Sequence, residues 1–127
     1  MSNGKENRRL KGAQAEDVVR KMLEKQGWKI LGTNFQTRFG EIDIIAEEGR
    51  SLVFVEVKSS SRPNETLLSK VNSAKQRRMT LTANQYLIEN ETDMYLEVRF
   101  DVLALTKTVR KEWSVEHIRN AFSIEAS

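Results

Sequence analysis

Apolar side chains recur at helical spacing between about Gly12 and Gln26, where Ala15, Val18, Val19, Met22 and Leu23 form one stripe and Gly27 follows as a C-terminal cap. Glu16 lies on the edge of that stripe beside Val19 and Leu23, whereas Asp17 points away from it. Shorter runs come next. Trp28 to Leu31 reads as a short strand and Arg38 to Gly40 as a turn; Glu41 to Ala46 and Leu52 to Lys58 read as two strands joined by the polar turn 47–50. Ser59 to Thr66, with Pro63, reads as a loop. A second helix is expected from about Ser69 to Glu89, its buried stripe marked by Met79, Thr82, Ala83, Tyr86 and Leu87. Projected one turn back, that stripe reaches Lys75 and Gln76. Tyr95 to Leu105 alternates as a long strand, with Leu96, Val98, Phe100, Val102 and Ala104 on one face, and Trp113 to Phe122 reads as an edge strand turning into a short helix. The order of helix, three strands, helix and one or two strands predicts an α/β mixed sheet covered by helices.

The chain has 127 residues, enough for one core, so a single domain is expected over residues 12–122. Residues 1–11 read as a flexible basic tail and 123–127 as a C-terminal tail. Apolar residues are 39% and charged residues 31%, the balance of a globular protein. The longest apolar runs, Leu52 to Val55 and Val102 to Leu105, fall far short of the roughly 20 residues of a bilayer span, so no membrane partner is expected. The leading residues lack an apolar stretch after their charges and are not expected to act as a secretory signal, which places the protein in the cytoplasm.

Absence of cysteine removes thiolate nucleophiles and cysteine-zinc sites, and the lone His117 rules out a site built on several histidines. Hydrolytic chemistry would therefore rest on carboxylates, lysine and a hard metal ion. The net charge of +3 permits a polyanionic partner. Basic residues gather at Lys5, Arg8, Arg9 and Lys11, and again at Lys70, Lys75, Arg77 and Arg78.

The stretch that carries chemistry is Gly40-Glu41-Ile42-Asp43-Ile44-Ile45-Ala46, a turn, then Phe54-Val55-Glu56-Val57-Lys58. Strand alternation sends Glu41 and Asp43 one way and Ile42 and Ile44 the other; Glu56 and Lys58 likewise oppose Val55 and Val57. A connecting loop of even length sets Asp43 opposite Phe54 and Glu41 opposite Glu56, with all four charges on one face. An odd loop would put Asp43 and Glu56 on opposite faces. The aliphatic pattern favours the even loop, which matches Ile42 and Ile44 with Val53 and Val55. Flanking Ile45, Leu52 and Phe54 imply partial burial, where adjacent carboxylates repel and lose solvation. A magnesium ion, which prefers oxygen ligands, would offset both costs, and Lys58 could orient water or stabilise charge on a phosphate. The plain structural alternative is a Glu56 and Lys58 surface pair on a solvated sheet.

At these residues the chain resembles the PD-(D/E)XK nuclease superfamily, and more closely the YraN-like family of small bacterial proteins. The resemblance runs from about Lys11 to Phe122 and includes G-A-Q-A-E at Gly12 to Glu16, G-E-I-D-I-I-A at Gly40 to Ala46 and F-V-E-V-K at Phe54 to Lys58. It continues through Val71 with Lys75, Ala83 with Tyr86 and Leu87, R-F-D at Arg99 to Asp101, and H-I-R-N-A-F at His117 to Phe122. It implies a restriction-endonuclease-like mixed sheet of about five strands flanked by helices, with Mg²⁺, or Mn²⁺ in its place, as cofactor and DNA as substrate. Asp43 and Glu56 would be the acidic metal ligands and Lys58 the lysine of the motif. By likeness to Holliday-junction-resolvase-like members, Glu16 would join them from the first helix. The superfamily's proline before the aspartate is replaced by Ile42, and residues 59–64 depart from the threonine-arginine and phenylalanine-glycine pattern of many relatives.

Other residues carry two readings each. Glu16 could pair with Arg20 along its helix, and Lys75, Gln76 and Arg78 could be solvated helix residues or contacts to nucleic-acid phosphate. Arg99 and Asp101 read as a structural pair, His117 as a satisfied strand residue, and Trp28 and Trp113 as packing. The expected function is Mg²⁺-dependent hydrolysis of phosphodiester bonds in branched or otherwise structured DNA, with alanine at Asp43 or Glu56 abolishing cleavage while relieving repulsion. A non-catalytic nucleic-acid-binding module and a protein-interaction subunit remain open beside it. A two-fold homodimer would suit cutting both strands of a duplex.

Overall fold

The computed structural model describes the backbone of residues 4–60 and 72–122, and the side chains of 12–59 and 72–122. Seven elements follow in order: α1 (Gly4–Lys25), β1 (Lys29–Thr37), β2 (Gly40–Glu48), β3 (Ser51–Ser60), α2 (Ser73–Glu89), β4 (Glu97–Lys107) and β5 (Trp113–Phe122). The five strands form one mixed sheet in the order β1-β2-β3-β4-β5, antiparallel except where β3 runs parallel to β4. A parallel neighbour needs a crossover, and α2 supplies it.

Each face of the sheet is covered by one helix. Ala15, Val19 and Leu23 of α1 pack with Ile44, Ala46, Val53, Val55, Leu103 and Leu105, whereas Met79 and Ala83 of α2 pack with Ile42, Ile45, Leu52, Phe54, Phe100 and Val102. Central strands buried on both faces read as continuous apolar runs, which accounts for Leu52 to Val55 and Val102 to Leu105. This α/β architecture is the one the resemblance implied.

The structure corrects several boundaries. The first helix begins at Gly4 rather than Gly12, so the backbone of 4–11 is helical where a flexible tail was expected. Lys5, Glu6, Arg8, Arg9, Leu10 and Lys11 are good helix formers, and extending an existing helix is easier than nucleating one. Its other end follows expectation. Gly27 adopts φ +91° and donates to Glu24, while the Trp28 amide donates to the Leu23 carbonyl at 3.0 Å, closing a Schellman cap with Trp28 packed into the core.

Strand β1 continues six residues beyond Leu31 because β2 pairs with it through Thr37. Strand β4 starts at Glu97, leaving Leu96 75% exposed ahead of it. The last segment stays a strand throughout instead of turning helical, since β4 presents a free edge whose hydrogen-bonding groups it satisfies out to Phe122 across a bulge. The expected helix start near Ser69, most of the Pro63 loop, Val71, Lys70 and the tail 123–127 lie outside the described residues. Among the described residues no helix is long and apolar enough to cross a membrane.

The turn into β2 depends on Gly40, whose φ of +157° suits a residue without Cβ. Its backbone passes against α2, where an added Cβ would lie 3.5 Å from Thr82 Oγ1 and 3.6 Å from Arg78 Cβ. Those are ordinary contacts, so the strain lies in the backbone. Gly40→Ala should lower unfolding stability by more than about 1 kcal/mol in urea denaturation; an unchanged midpoint would show that the turn relaxes freely.

Candidate active site: carboxylates and lysines at a seam in the sheet

Pairing between β2 and β3 runs from Glu48 opposite Ser51 to Ile44 opposite Val55 and goes no further. The loop is two residues, Gly49 and Arg50, so its length is even as expected, but the register differs by two: Phe54 faces Ile45, not Asp43. Beyond Val55 the strands part, and Asp43 fills the opening. Its Oδ2 accepts the Val57 amide at 2.8 Å, taking a donor that a ladder carbonyl would otherwise hold.

Alternation breaks at the same point. Ile42 packs on the α2 side while Ile44 packs on the α1 side, so the two do not share the apolar face expected of them. The charges therefore do not all project from one face of a flat sheet. Glu56 lies on the α2 side, where Phe54 also packs, and Asp43 sits at the seam between the layers, hydrogen-bonded to the side chain of Glu16 from α1.

Glu56 is 4% exposed and holds two cations on one oxygen: Lys75 Nζ lies 2.7 Å and Lys58 Nζ 3.3 Å from Oε1. Lys75 arrives from the first turn of α2, one turn before buried Met79, and its amide donates to the Asn72 cap at 3.0 Å. An open cleft beside this group has Glu41, Asp43 and Glu56 on its sheet side and Lys75, Arg78 and Met79 on its helix side. Arg78 is exposed and Gln76 half-buried on the same helix. Glu16, at the α1 side of Asp43, leaves Arg20 to Asp17 and Glu24, at 2.7 and 2.9 Å, so the helical pair considered for it is not formed.

The electrostatics follow from crowding. Burial, then the nearby Glu56 charge, pushes the Asp43 carboxyl up to about 8, against the pull of the Val57 amide. Burial also raises Glu16. Burial and the neighbouring Lys75 lower Lys58; Lys75 is raised, because its contacts with Glu56 and Lys58 outweigh burial. Of the two lysines, Lys58 is the readier to give up its proton.

Sequence reasoning passed over Asn34. It lies opposite Asp43 in β1 with φ +53°, and with its amide nitrogen turned to the acceptors it donates to Glu41 Oε1 at 2.8 Å and Glu16 Oε2 at 3.3 Å. The available signal was an isolated asparagine, the residue that best tolerates a left-handed backbone after glycine, within an otherwise extended stretch.

Among the described residues no three acidic or histidine side chains stand together in metal-ligating geometry, since Glu56 is turned to its lysines and Asp43 to Val57. The donor chemistry fits a hard cation all the same: Asp43, Glu56 and Glu16 offer only oxygens, and their burial and mutual repulsion are what a divalent ion relieves. Arg99 and Asp101 form the structural pair expected of them, on the α1 side of β4, with His117 bonded to Asp101 at 2.8 Å.

The model of the uncharacterised protein family UPF0102 matches residues 15–105. Proteins carrying the same family name are similar along most of the chain. The one from Rhodococcus opacus is 39% identical over 87% of this chain and 94% of its own, and the one from Flavobacterium psychrophilum 41% identical over 87% and 92%. The Thermotoga maritima protein is 45% identical over 61% of this chain and 71% of its own.

Proposed function

Since the chain belongs to the uncharacterised protein family UPF0102, whose description assigns no chemistry, we propose from its own residues that it is a divalent-metal-dependent endonuclease hydrolysing phosphodiester bonds of DNA. The observation that carries this reading is the meeting of Asp43, Glu56 and Glu16 with Lys58 and Lys75 at the seam between β2 and β3. Membership of the restriction-endonuclease-like superfamily belongs to the same proposal.

Asp43 and Glu56 would hold Mg²⁺ or Mn²⁺, with Glu16 as the third carboxylate. When bound, such an ion withdraws charge from the phosphate and lowers the pKa of water. Lys58, lowered by burial and Lys75, is suited to take a proton from the attacking water or to hydrogen-bond the developing oxyanion. Lys75, which pairs with Glu56 at 2.7 Å, would be placed to contact a phosphate oxygen were a cation to take over that carboxylate, and Arg78 and Gln76 on the same helix would meet the backbone of a branched or structured duplex. Work in the cytoplasm, and as a two-fold dimer where both strands are cut, would suit this activity.

Cleavage of linear, nicked and branched DNA should require Mg²⁺ or Mn²⁺ and fall at least about 100-fold in Asp43→Asn and in Lys58→Met. Full activity in Asp43→Asn would sink the mechanism. Binding that needs no divalent ion, weakens steeply with salt and cuts no form of DNA would leave a non-catalytic nucleic-acid-binding module in its place.

A further inference from the structure

We propose that Asn34 is a positioning residue of this site, acting through both its backbone and its amide. The inference rests on the metal-site reading above for its functional meaning, though not for its geometry. Pairing of β1 with β2 keeps one register from Gly32 to Thr37, with Thr33 opposite Ile44 and Phe35 opposite Ile42; within that stretch only Asn34, across from Asp43, makes no pair, and a separate bulge lies between Ile30 and Gly32. At that step Asn34 takes φ +53°, and there the facing of β2 switches, Ile42 going to the α2 layer and Ile44 to the α1 layer. The left-handed residue thus lies across from the break in alternation that frees the Asp43 side chain to reach the Val57 amide.

The amide has a second use. Glu16 comes from α1 and Glu41 from β2, and the two like charges repel each other. An Asn34 amide group between them, 2.8 Å from Glu41 Oε1 and 3.3 Å from Glu16 Oε2, gives each carboxylate a donor without adding a charge. A lysine would serve as a counter-ion but would compete with a cation for the same oxygens. A neutral donor holds the carboxylates and leaves their charge available. Hydrogen-bond partners outside a metal's own ligands orient those ligands and set their affinity.

Three variants separate the two roles. Asn34→Gly keeps the left-handed backbone and loses the amide; Asn34→Asp tolerates the backbone and replaces donor by charge; Asn34→Ala loses both. Mn²⁺ affinity, read by the paramagnetic resonance of free Mn²⁺, should fall about 10- to 100-fold in Asn34→Gly with little change in melting temperature, whereas Asn34→Asp, which sets a further carboxylate against Glu16 and Glu41, should lower the melting temperature of the metal-free protein. Asn34→Ala should lose affinity and melting temperature together. The side-chain amide signals of Asn34 in ¹H–¹⁵N spectra, recorded without metal, should shift in Glu16→Gln and again in Glu41→Gln. Unshifted signals in both variants would overturn the clamp, and so would wild-type Mn²⁺ affinity in Asn34→Gly. A clamp seen in the spectra of a wild-type protein that binds no Mn²⁺ would confirm the positioning geometry and refute the metal site.

Discussion

Asp101→Ala is expected to cost about 3–5 kcal/mol of unfolding stability, enough to lower the melting temperature by roughly 10–20 °C. The carboxylate is fully buried and accepts four hydrogen bonds: from Arg99 Nε at 2.9 Å and its terminal nitrogen at 3.3 Å, from His117 Nε2 at 2.8 Å and from the Asn120 amide at 3.0 Å. Arg99 is itself 7% exposed, so alanine would leave its guanidinium with Glu48 at 2.6 Å and the more distant Glu97 at 3.7 Å. Leaving one member of a buried ion pair behind costs more than removing both. The double variant Asp101→Ala with Arg99→Met should therefore recover part of the loss, and a double variant weaker than either single one would refute this account.

The pH dependence has a definite sign. Burial alone would raise the Asp101 carboxyl, but His117, Arg99 and the Asn120 amide outweigh it and hold it below the ordinary aspartate range. A group depressed in the folded state contributes stability above its unfolded pKa and loses it as pH falls through the folded one. Arg119 and Arg99 likewise hold Glu48 down to about 2. Both contributions persist at neutral pH and disappear only on strong acidification.

What could be read in advance was whatever repeats along the chain. The stripes on α1 and on α2, the latter from Met79 to Leu87, obey a period of 3.6, the two runs at the sheet centre are apolar without a break, and all four land in the core or at its margin. Parity of the β2–β3 loop was legible for the same reason, because one residue of slip would have buried Glu47 in place of Ala46. The failures lie where pairing overrides pattern. Thr33 to Thr37 has too few large apolar residues to announce a strand, and β2 makes it one; β5 is held by the edge of β4 rather than by its own alternation. Within the site, Glu16 and Lys75 were within reach because each lies where a core stripe runs on into polar residues. Asn34 was not, since its part depends on a backbone angle and on strands parting at Asp43, neither of which has a period.

Asp43→Asn should stabilise the metal-free protein, and the gain should grow with pH. An acid raised in the folded state, as Asp43 is to about 8 from 3.8, makes the native form bind more protons than the unfolded chain between those values. Stability of the wild type therefore drains away as pH rises from about 4 to about 8 and levels off beyond. At about 1.4 kcal/mol per unit, the shift bounds the loss near 6 kcal/mol, and rearrangement of the side chains should leave a few. Asparagine copies the protonated acid: its carbonyl can still accept from Val57, and its amide can donate to Glu16. Urea titrations in EDTA should thus find the variant close to the wild type at pH 4.5 and more stable at pH 8.5, with millimolar Mg²⁺ narrowing the gap by binding the wild type alone. Glu56 answers differently from the expectation that either carboxylate can be lost with relief. It neutralises Lys75 and Lys58, so Glu56→Ala leaves two half-buried lysines facing each other and should destabilise. A stabilised Asp43→Asn beside a destabilised Glu56→Ala would mark Asp43 as the carboxylate held under repulsion and Glu56 as the one held by cations; equal or lower stability of Asp43→Asn at pH 8.5 would show that the seam does not strain its acid.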